Sequence, residues 1–308
     1  MAEMASLREA YGKALVRIGS KNKDIVALDA DLGKSTFSRA IEELGEERFV
    51  EVGIAEQNMA AVSAGMAIAG KIPFFSSFAV FSTGRAYDQI RSSICIPGFN
   101  VNICGSSAGL SDYGDGKTHQ ALDDIAIMQV LPNMTVLVPA DANQVDGMVE
   151  AMANHPGPCY IRIPRNELPV ITEKAPYTIG QVDTFRTGKD LTIFSMSGMI
   201  HNSLEAAEIL AKEGIEAEVV SLGTIKPFPT EKVREIAAKT GKIMIVEEHN
   251  VINGLGSSVK SALAGMALKI DHMGMQDSFG QSAESYELLL EYYGLTAKDI
   301  AERAKKLV

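Results

Sequence analysis

The carboxylate at position 56 heads a run of small and apolar residues, within Val52-Gly53-Ile54-Ala55-Glu56-Gln57-Asn58-Met59. An acid placed there can exchange a proton with a heterocyclic cofactor once burial takes it out of water. The stretch from Met59 to Ala69 is rich in Ala, Gly and Met. As a helix it can pack closely on a sheet and exclude water from the turn before it. The simpler reading is that Glu56 only complements the positive end of a helix dipole, as many surface glutamates do.

Other residues could hold a ligand. Leu32-Gly33-Lys34-Ser35 follows a strand-like run and resembles the tail of a phosphate-binding P-loop. Position 28 is Leu where a full P-loop needs glycine. That leaves a single phosphate on a helix N-terminus, held by Ser35 and backbone amides, or a capping serine with no ligand. Gly114-Asp115-Gly116, with Asn143 downstream, has the outline of a magnesium-diphosphate motif, but Gln144 follows Asn143 where another ligand belongs. The match reads as a coincidence of spacing, and no metal ligand is assigned. The glycine loop instead carries Asp115, Thr118 and His119 toward a substrate, or forms a solvated turn. Phe74, Phe75, Phe78 and Phe81 cluster in a chain with 6% aromatic residues, which suggests either a wall for a flat ring or plain core. Arg8 and Arg165 stand in different elements and can meet at the C-terminal edge of a sheet, where open α/β folds bind ligands.

These residues need a frame, and the hydrophobic pattern supplies one. Helical runs at Ser6–Ile18, after Ser35, from Glu56, at Arg85–Ile94, near Asp123–Met128 and at Asn143–Ala153 alternate with strand-like runs. The strand-like runs are Ile25–Leu28, Phe49–Val52, Ile72–Phe75, Val101–Cys104, Thr135–Val138 and Cys159–Ile163. Alternation of this kind predicts βαβ units on a mainly parallel sheet over residues 1–168. Residues 169–187 read as a connecting segment, with Pro176, Gly180 and, at its far boundary, Gly188. Residues 188–308 predict a smaller α/β domain. Its strands are Leu191–Phe194, Ala217–Leu222 and Ile243–Val246, and its helices Ser203–Lys212, Lys232–Ala238, Ser257–Ala267 and Ala297–Lys306.

Bulk properties narrow the function. The 308 residues, 46% of them hydrophobic, suffice for two α/β domains, and the net charge of -10 argues against nucleic acid or an anionic membrane as the main partner. The stretch Ala60 to Phe81 is broken by Lys71 and Pro73 and fails as a membrane span. Met1-Ala2-Glu3-Met4 carries no secretory pattern, so cytoplasmic residence is the expectation. Cys95, Cys104 and Cys159 lack CxxC spacing and read as reduced, buried thiols.

Taken together, these segments resemble one family. Leu7-Arg8-Glu9-Ala10-Tyr11-Gly12, Ala27-Leu28-Asp29-Ala30-Asp31, Lys34-Ser35-Thr36-Phe37-Ser38, Gly53–Met59, Pro73-Phe74 with Ser76-Ser77-Phe78-Ala79, and Gly114-Asp115-Gly116-Lys117-Thr118-His119-Gln120 resemble transketolase, in order. The resemblance covers only its pyrimidine-binding and C-terminal domains, so it implies the C-terminal subunit of a split transketolase. Thiamine diphosphate would be shared with an N-terminal, diphosphate-binding partner that holds Mg2+ or Ca2+. An α2β2 assembly with self-association through both domains of this chain would follow. The implied reaction moves a two-carbon ketol unit from a ketose to an aldose. The resemblance makes Glu56 the partner of the cofactor's aminopyrimidine, Asp31 the acid beside the thiazolium, and Phe78 and Phe81 the wall under the pyrimidine. Asp115 would read a substrate hydroxyl and His119 contact the reacting carbons, while Arg8, Ser35 and Arg165 would grip the sugar phosphate.

Two positions depart from the family pattern. Ser107 replaces the phosphate-anchoring histidine and Gly114 an acidic residue. The terminal group could then be a sulfonate, a differently placed phosphate or a branched sugar. The rival readings are the β subunit of a 2-oxo acid dehydrogenase and a non-catalytic regulatory partner. Arg8 and the Asp115–Gln120 loop favour the sugar enzyme over the first.

Overall fold

The computed structural model describes residues 3–308; Met1 and Ala2, half of the N-terminal stretch Met1-Ala2-Glu3-Met4, lie outside them. Strand β1 (Met4–Ala5) leads into helix α1 (Leu7–Lys21), whose N-cap Ser6 hydroxyl accepts from the Glu9 amide at 3.3 Å. The chain then alternates through β2 (Ile25–Asp29), β3 (Phe49–Glu51), α2 (Glu56–Ile68), β4 (Ile72–Phe78), α3 (Tyr87–Gln89) and β5 (Asn102–Ser106). It continues with α4 (Asp124–Gln129), β6 (Thr135–Leu137), α5 (Ala142–Asn154), β7 (Cys159–Arg162) and the short β8 (Leu168–Pro169), which pairs back on β1. Strands β2 to β7 are mutually parallel in the order β3-β2-β4-β5-β7-β6. Both faces of β2, β5 and β7 are buried, as expected of parallel strands covered on both sides.

The second half comprises β9 (Asp183–Arg186), β10 (Leu191–Ser195), α6 (Met199–Ala211), β11 (Ala217–Ser221), β12 (Thr224–Lys226) and α7 (Thr230–Thr240). It ends with β13 (Lys242–Asn250), α8 (Leu255–Ala262), β14 (Lys269–Met275), α9 (Tyr286–Tyr292) and α10 (Ala297–Lys305). Its sheet has the order β14-β13-β10-β11-β9, with β9 antiparallel and the rest parallel. The architecture is two α/β units built on mainly parallel sheets.

Several local expectations are corrected. No α-helix follows Ser35. Phe37 adopts a left-handed conformation at φ 60°, and a 3-10 run begins only at Ser38 and ends at Leu44. The expected Arg85–Ile94 helix starts earlier, as π turns at Val80–Arg85 and Ile90–Cys95 flank α3. Strand β9 lies inside the stretch read as a connector. β14 and α9 were not read as elements, and β12 becomes a strand only by pairing antiparallel with β6 of the other sheet.

That last pairing stitches the two units together. One continuous cluster of buried side chains includes Phe75, Ile103 and Val136 from the first sheet and Phe194, Val220 and Ile245 from the second. A buried polar latch crosses the same seam. Arg162 Nε donates to Asp124 Oδ2 at 3.0 Å, Tyr160 donates its hydroxyl to the same oxygen at 2.6 Å, and Arg162 Nη2 reaches the Glu248 carbonyl at 2.9 Å. Arg162 and Asp124 are both almost completely excluded from solvent. All three cysteines are free and buried. Among the described residues no helix is long and apolar enough to cross a membrane.

Removing one member of a buried ion pair strands the other charge. Asp124→Ala is therefore expected to lower unfolding stability by about 3–5 kcal/mol, whereas Asp124→Ala with Arg162→Met should recover much of that loss. Denaturant midpoints of the single and double variants check both outcomes.

Candidate active site at the carboxyl edge of the larger sheet

The parallel strands deliver their C-terminal ends to one edge, and there the chemistry-bearing residues gather. Strand β3 ends at Glu51, and the turn that follows is shaped by Gly53 at φ 69°. Glu51 Oε1 accepts from the backbone amides of Gly53 at 3.0 Å and Asp31 at 2.8 Å, tying the two loops beside the edge together. Helix α2 then begins at Glu56, whose side chain is only 2% exposed. Its Oε1 accepts from Arg85 Nη1 at 2.7 Å, and its buried Oε2 has no hydrogen-bond partner.

Arg85 comes from the first π turn, which also sets Phe81 beneath its guanidinium, 4.4 Å from the ring centroid. Phe81 stacks on Phe78 at 6.2 Å and 19°, and the His119 ring meets Phe81 edge-on at 5.3 Å. His119 Nδ1 shares a 2.9 Å hydrogen bond with the Thr118 hydroxyl. Glu56, Arg85, Phe81, Phe78 and His119 thus form one connected surface. Phe74 and Phe75 do not belong to it. They are fully buried in two different core clusters, because consecutive residues of β4 point to opposite faces.

A second group adjoins the first. Arg165 lies 6.0 Å over the Phe78 ring and donates from Nη1 to both oxygens of Asp112, at 3.2 and 3.1 Å. Asp115 is exposed, with Oδ2 4.0 Å from the same Arg165 nitrogen. Arg8 Nη1 donates to the Ser35 carbonyl at 2.8 Å, and its Nε is buried without a partner. Burial, and then the neighbouring Arg165 charge, lower the Arg8 pKa, while Asp112 opposes them. Ser35 therefore faces Arg8 through a bend of the loop and not through a helix N-terminus. Asp31 is solvent-exposed at φ 64°. Ser107 is fully buried at φ 54°, just past β5, and its hydroxyl is unpartnered, as are those of Ser77 and Ser106 on the adjacent strand ends. The Asn143 amide donates to the Thr172 carbonyl at 2.7 Å, near the start of α5.

The loop from Ser107 to Gln120 is held by the second unit. The Leu110 amide donates to Glu248 Oε1 at 2.5 Å, Gln120 Nε2 to the Gln281 carbonyl at 3.1 Å, and the Ala283 amide to the Tyr113 carbonyl at 2.9 Å. Gly109 at φ 72° and Gly116 at φ 75° let the backbone pass where a Cβ would fall 2.3 Å from Glu248 Oε1 and from Ser282 Oγ respectively. Among the described residues no group of three His, Cys, Asp or Glu side chains is placed to hold a metal ion.

Several shaping residues escaped the sequence reading. Arg85 had a usable signal, four residues beyond Phe81 on a helical stretch. Asp29, Glu51 and Asp112 had none, since their partners are backbone amides, loop hydroxyls and a distant arginine.

Comparison with known proteins follows this geometry. Residues 3–170 match the transketolase pyrimidine-binding domain and residues 180–300 the transketolase C-terminal domain. The chain belongs to the transketolase family. Its relatives include chains of similar length. One, from Methanocaldococcus jannaschii and described as a transketolase C-terminal section, is 39% identical over 96% of this chain and 94% of its own. Another, from Clostridium sp. (strain MSTE9), is the 6-deoxy-6-sulfo-D-fructose transketolase subunit SqwH, 37% identical over 98% of this chain and 94% of its own. A solved structure described as a split gene transketolase, inactive β4 tetramer, superposes with a TM-score of 0.89 at 45% identity, covering 98% of both chains.

Asp29 anchors the loop that carries Ser35. It accepts from the Leu32 amide at 2.7 Å and from the Thr36 and Ser38 hydroxyls at 2.6 and 2.7 Å. Burial outweighs these donors and raises its pKa from 3.8 to about 6. The folded chain thus holds this proton more tightly than the unfolded one, so the group's contribution to stability falls as pH rises through that window. On going from about pH 7 to about pH 4.5, the wild type should gain about 2 kcal/mol relative to Asp29→Asn. Urea unfolding at the two pH values measures it.

Proposed function

We propose that this chain is the C-terminal subunit of a thiamine-diphosphate-dependent transketolase, catalytically complete only with a separate N-terminal subunit. The observation that carries this reading is the buried, unpartnered Glu56 Oε2 beside the stacked Phe78 and Phe81 rings. The residues fit the cofactor's pyrimidine. A buried oxygen awaits a hydrogen-bonding partner, and an aromatic surface adjoins it.

Thiamine diphosphate, when bound, supplies the carbanion chemistry that breaks and remakes a carbon–carbon bond next to a carbonyl. Glu56 directs Oε2 at the pyrimidine and shares a proton with its ring nitrogen. Arg85 fixes the orientation of that carboxyl group and rests on Phe81. His119, on the glycine loop, orients and exchanges protons with substrate hydroxyls next to the reacting carbons, and Asp115 reads a further hydroxyl. Asp31 would stand beside the thiazolium, Arg8 and Arg165 line the cavity for the far end of the sugar, and Ser35 and Ser107 are assigned to the same end of the site.

The diphosphate and its Mg2+ or Ca2+ fall to the partner, since both matched domains belong to the other half of the family plan. An α2β2 assembly is the form we propose, with contacts between copies of this chain through both its domains. The exposed Ile54 and Ile68 on and beside α2 support such contacts. The three free buried thiols support cytoplasmic residence. The donor sugar is to be sought first among ketoses with a non-phosphate terminal group, because one relative is named for a sulfosugar and Ser107 stands where a cationic donor is expected.

In the reconstituted two-chain complex, Glu56→Gln should reduce kcat for ketol transfer by about 10²–10⁴-fold, as expected for loss of a proton-transfer group. Full activity in that variant would remove Glu56 from the chemistry and favour a regulatory partner. Turnover of 2-oxo acids and of no ketose would favour the dehydrogenase β subunit. Calorimetry on this chain alone should show no tight thiamine diphosphate binding, and tight binding would overturn the division of the cofactor between chains.

A further inference from the structure

A cavity of about 360 Å³ opens at the far end of the site, lined by Arg8, Arg165, Tyr113, Asn166, Glu167 and Glu287. Its two cations are not free to act as such. Asp112, at the base of the glycine loop and 2% exposed, accepts two contacts from Arg165 Nη1. The Arg8 guanidinium is tied on one side to the Ser35 carbonyl, and Glu167 and Glu287 add two carboxylates to the rim. With Asp115 Oδ2 4.0 Å from Arg165 Nη1, two positive charges therefore meet four negative ones before any ligand arrives.

A dianionic phosphate placed here would gain from Arg8 and from the outer edge of Arg165, but it would also face a buried carboxylate that cannot turn away. Asp112 is held at both ends: its carboxylate accepts from Arg165 Nη1 and its carbonyl from the Gly116 amide at 3.0 Å, while the neighbouring Ser111 Oγ accepts from the Arg165 amide at 2.9 Å. A neutral polyol end or a monoanion pays less for the same contacts, since repulsion from a fixed charge scales with the charge of the ligand. The unpartnered Arg8 Nε still offers one directed donor to a hydroxyl or sulfonate oxygen.

We propose that Asp112 is a specificity-determining residue that acts through Arg165, and that it sets this site to take substrates whose far end carries at most one negative charge. The inference deepens the transketolase reading and rests on it for the orientation of the sugar. Asp112 does not touch the reacting carbons and is a positioning residue.

The test begins with anion binding to the full-length chain at about pH 8, using inorganic phosphate and methanesulfonate as probes. The wild type should bind phosphate no more tightly than methanesulfonate. A preference for phosphate of about tenfold or more would overturn the proposal without recourse to any variant. Asp112→Asn should strengthen phosphate binding about tenfold and methanesulfonate only about threefold, and Asp112→Glu should restore the wild-type order. Equal gains for both probes, or none, would overturn it. In the reconstituted complex, Asp112→Asn should lower the KM of a ketose phosphate relative to that of the corresponding unphosphorylated ketose by about tenfold. If the complex turned over no ketose, the transketolase reading would fall while the anion titrations still decided the role of Asp112.

Discussion

A carboxylate buried at the start of a helix with one oxygen unsatisfied is the constraint around which the site is organised. Leaving such an acceptor without a donor costs about 1–3 kcal/mol, and more when the group is charged. Glu56 recovers part of that cost through Arg85 on Oε1, while Oε2 stays open. The arginine must itself be held, and the π turn at Val80–Arg85 holds it by laying Phe81 under the guanidinium. The irregular helix, the aromatic wall and the charge pair are one device. It presents a directed but unmet hydrogen-bonding group beside an aromatic surface.

The rest of the fold keeps that device in register with the substrate end. Loop 107–120 carries Asp112, Asp115 and His119, yet it belongs to neither sheet. Its geometry comes from the second unit, through Glu248 on β13 and the segment around Gln281–Ala283. Burial raises the pKa of Glu248, partly offset by Arg162, by the Tyr286 hydroxyl and by the Leu110 amide. One buried acid thus joins the Arg162 latch, a C-terminal helix and the glycine loop. The smaller unit positions the glycine loop and completes the frame around it, a role beyond simple packing.

The class of fold and most of the large elements were legible in advance. Short apolar runs such as Ile25–Leu28 and Cys159–Ile163, the latter broken only by Arg162, fit strands buried on both faces, and the helices between them favour parallel order. Glu56, Phe78, Phe81 and His119 were legible as types at suggestive positions. The structure joins them in one surface. It also removes Phe74 and Phe75 from that wall, because alternation along β4 sends them to opposite cores.

Local pattern determined the alternation of helix and strand, the burial of the sheets and the presence of an acid at a helix start, because each depends on neighbours within a few residues. Only the tertiary structure decided that Arg85 pairs with Glu56, that Asp112 meets Arg165 across 53 positions of chain, and that Thr224–Lys226 completes a sheet begun in the other half. Those choices rest on charges and backbone groups brought together by packing. No window of sequence contains both partners, so no periodicity or propensity could announce them.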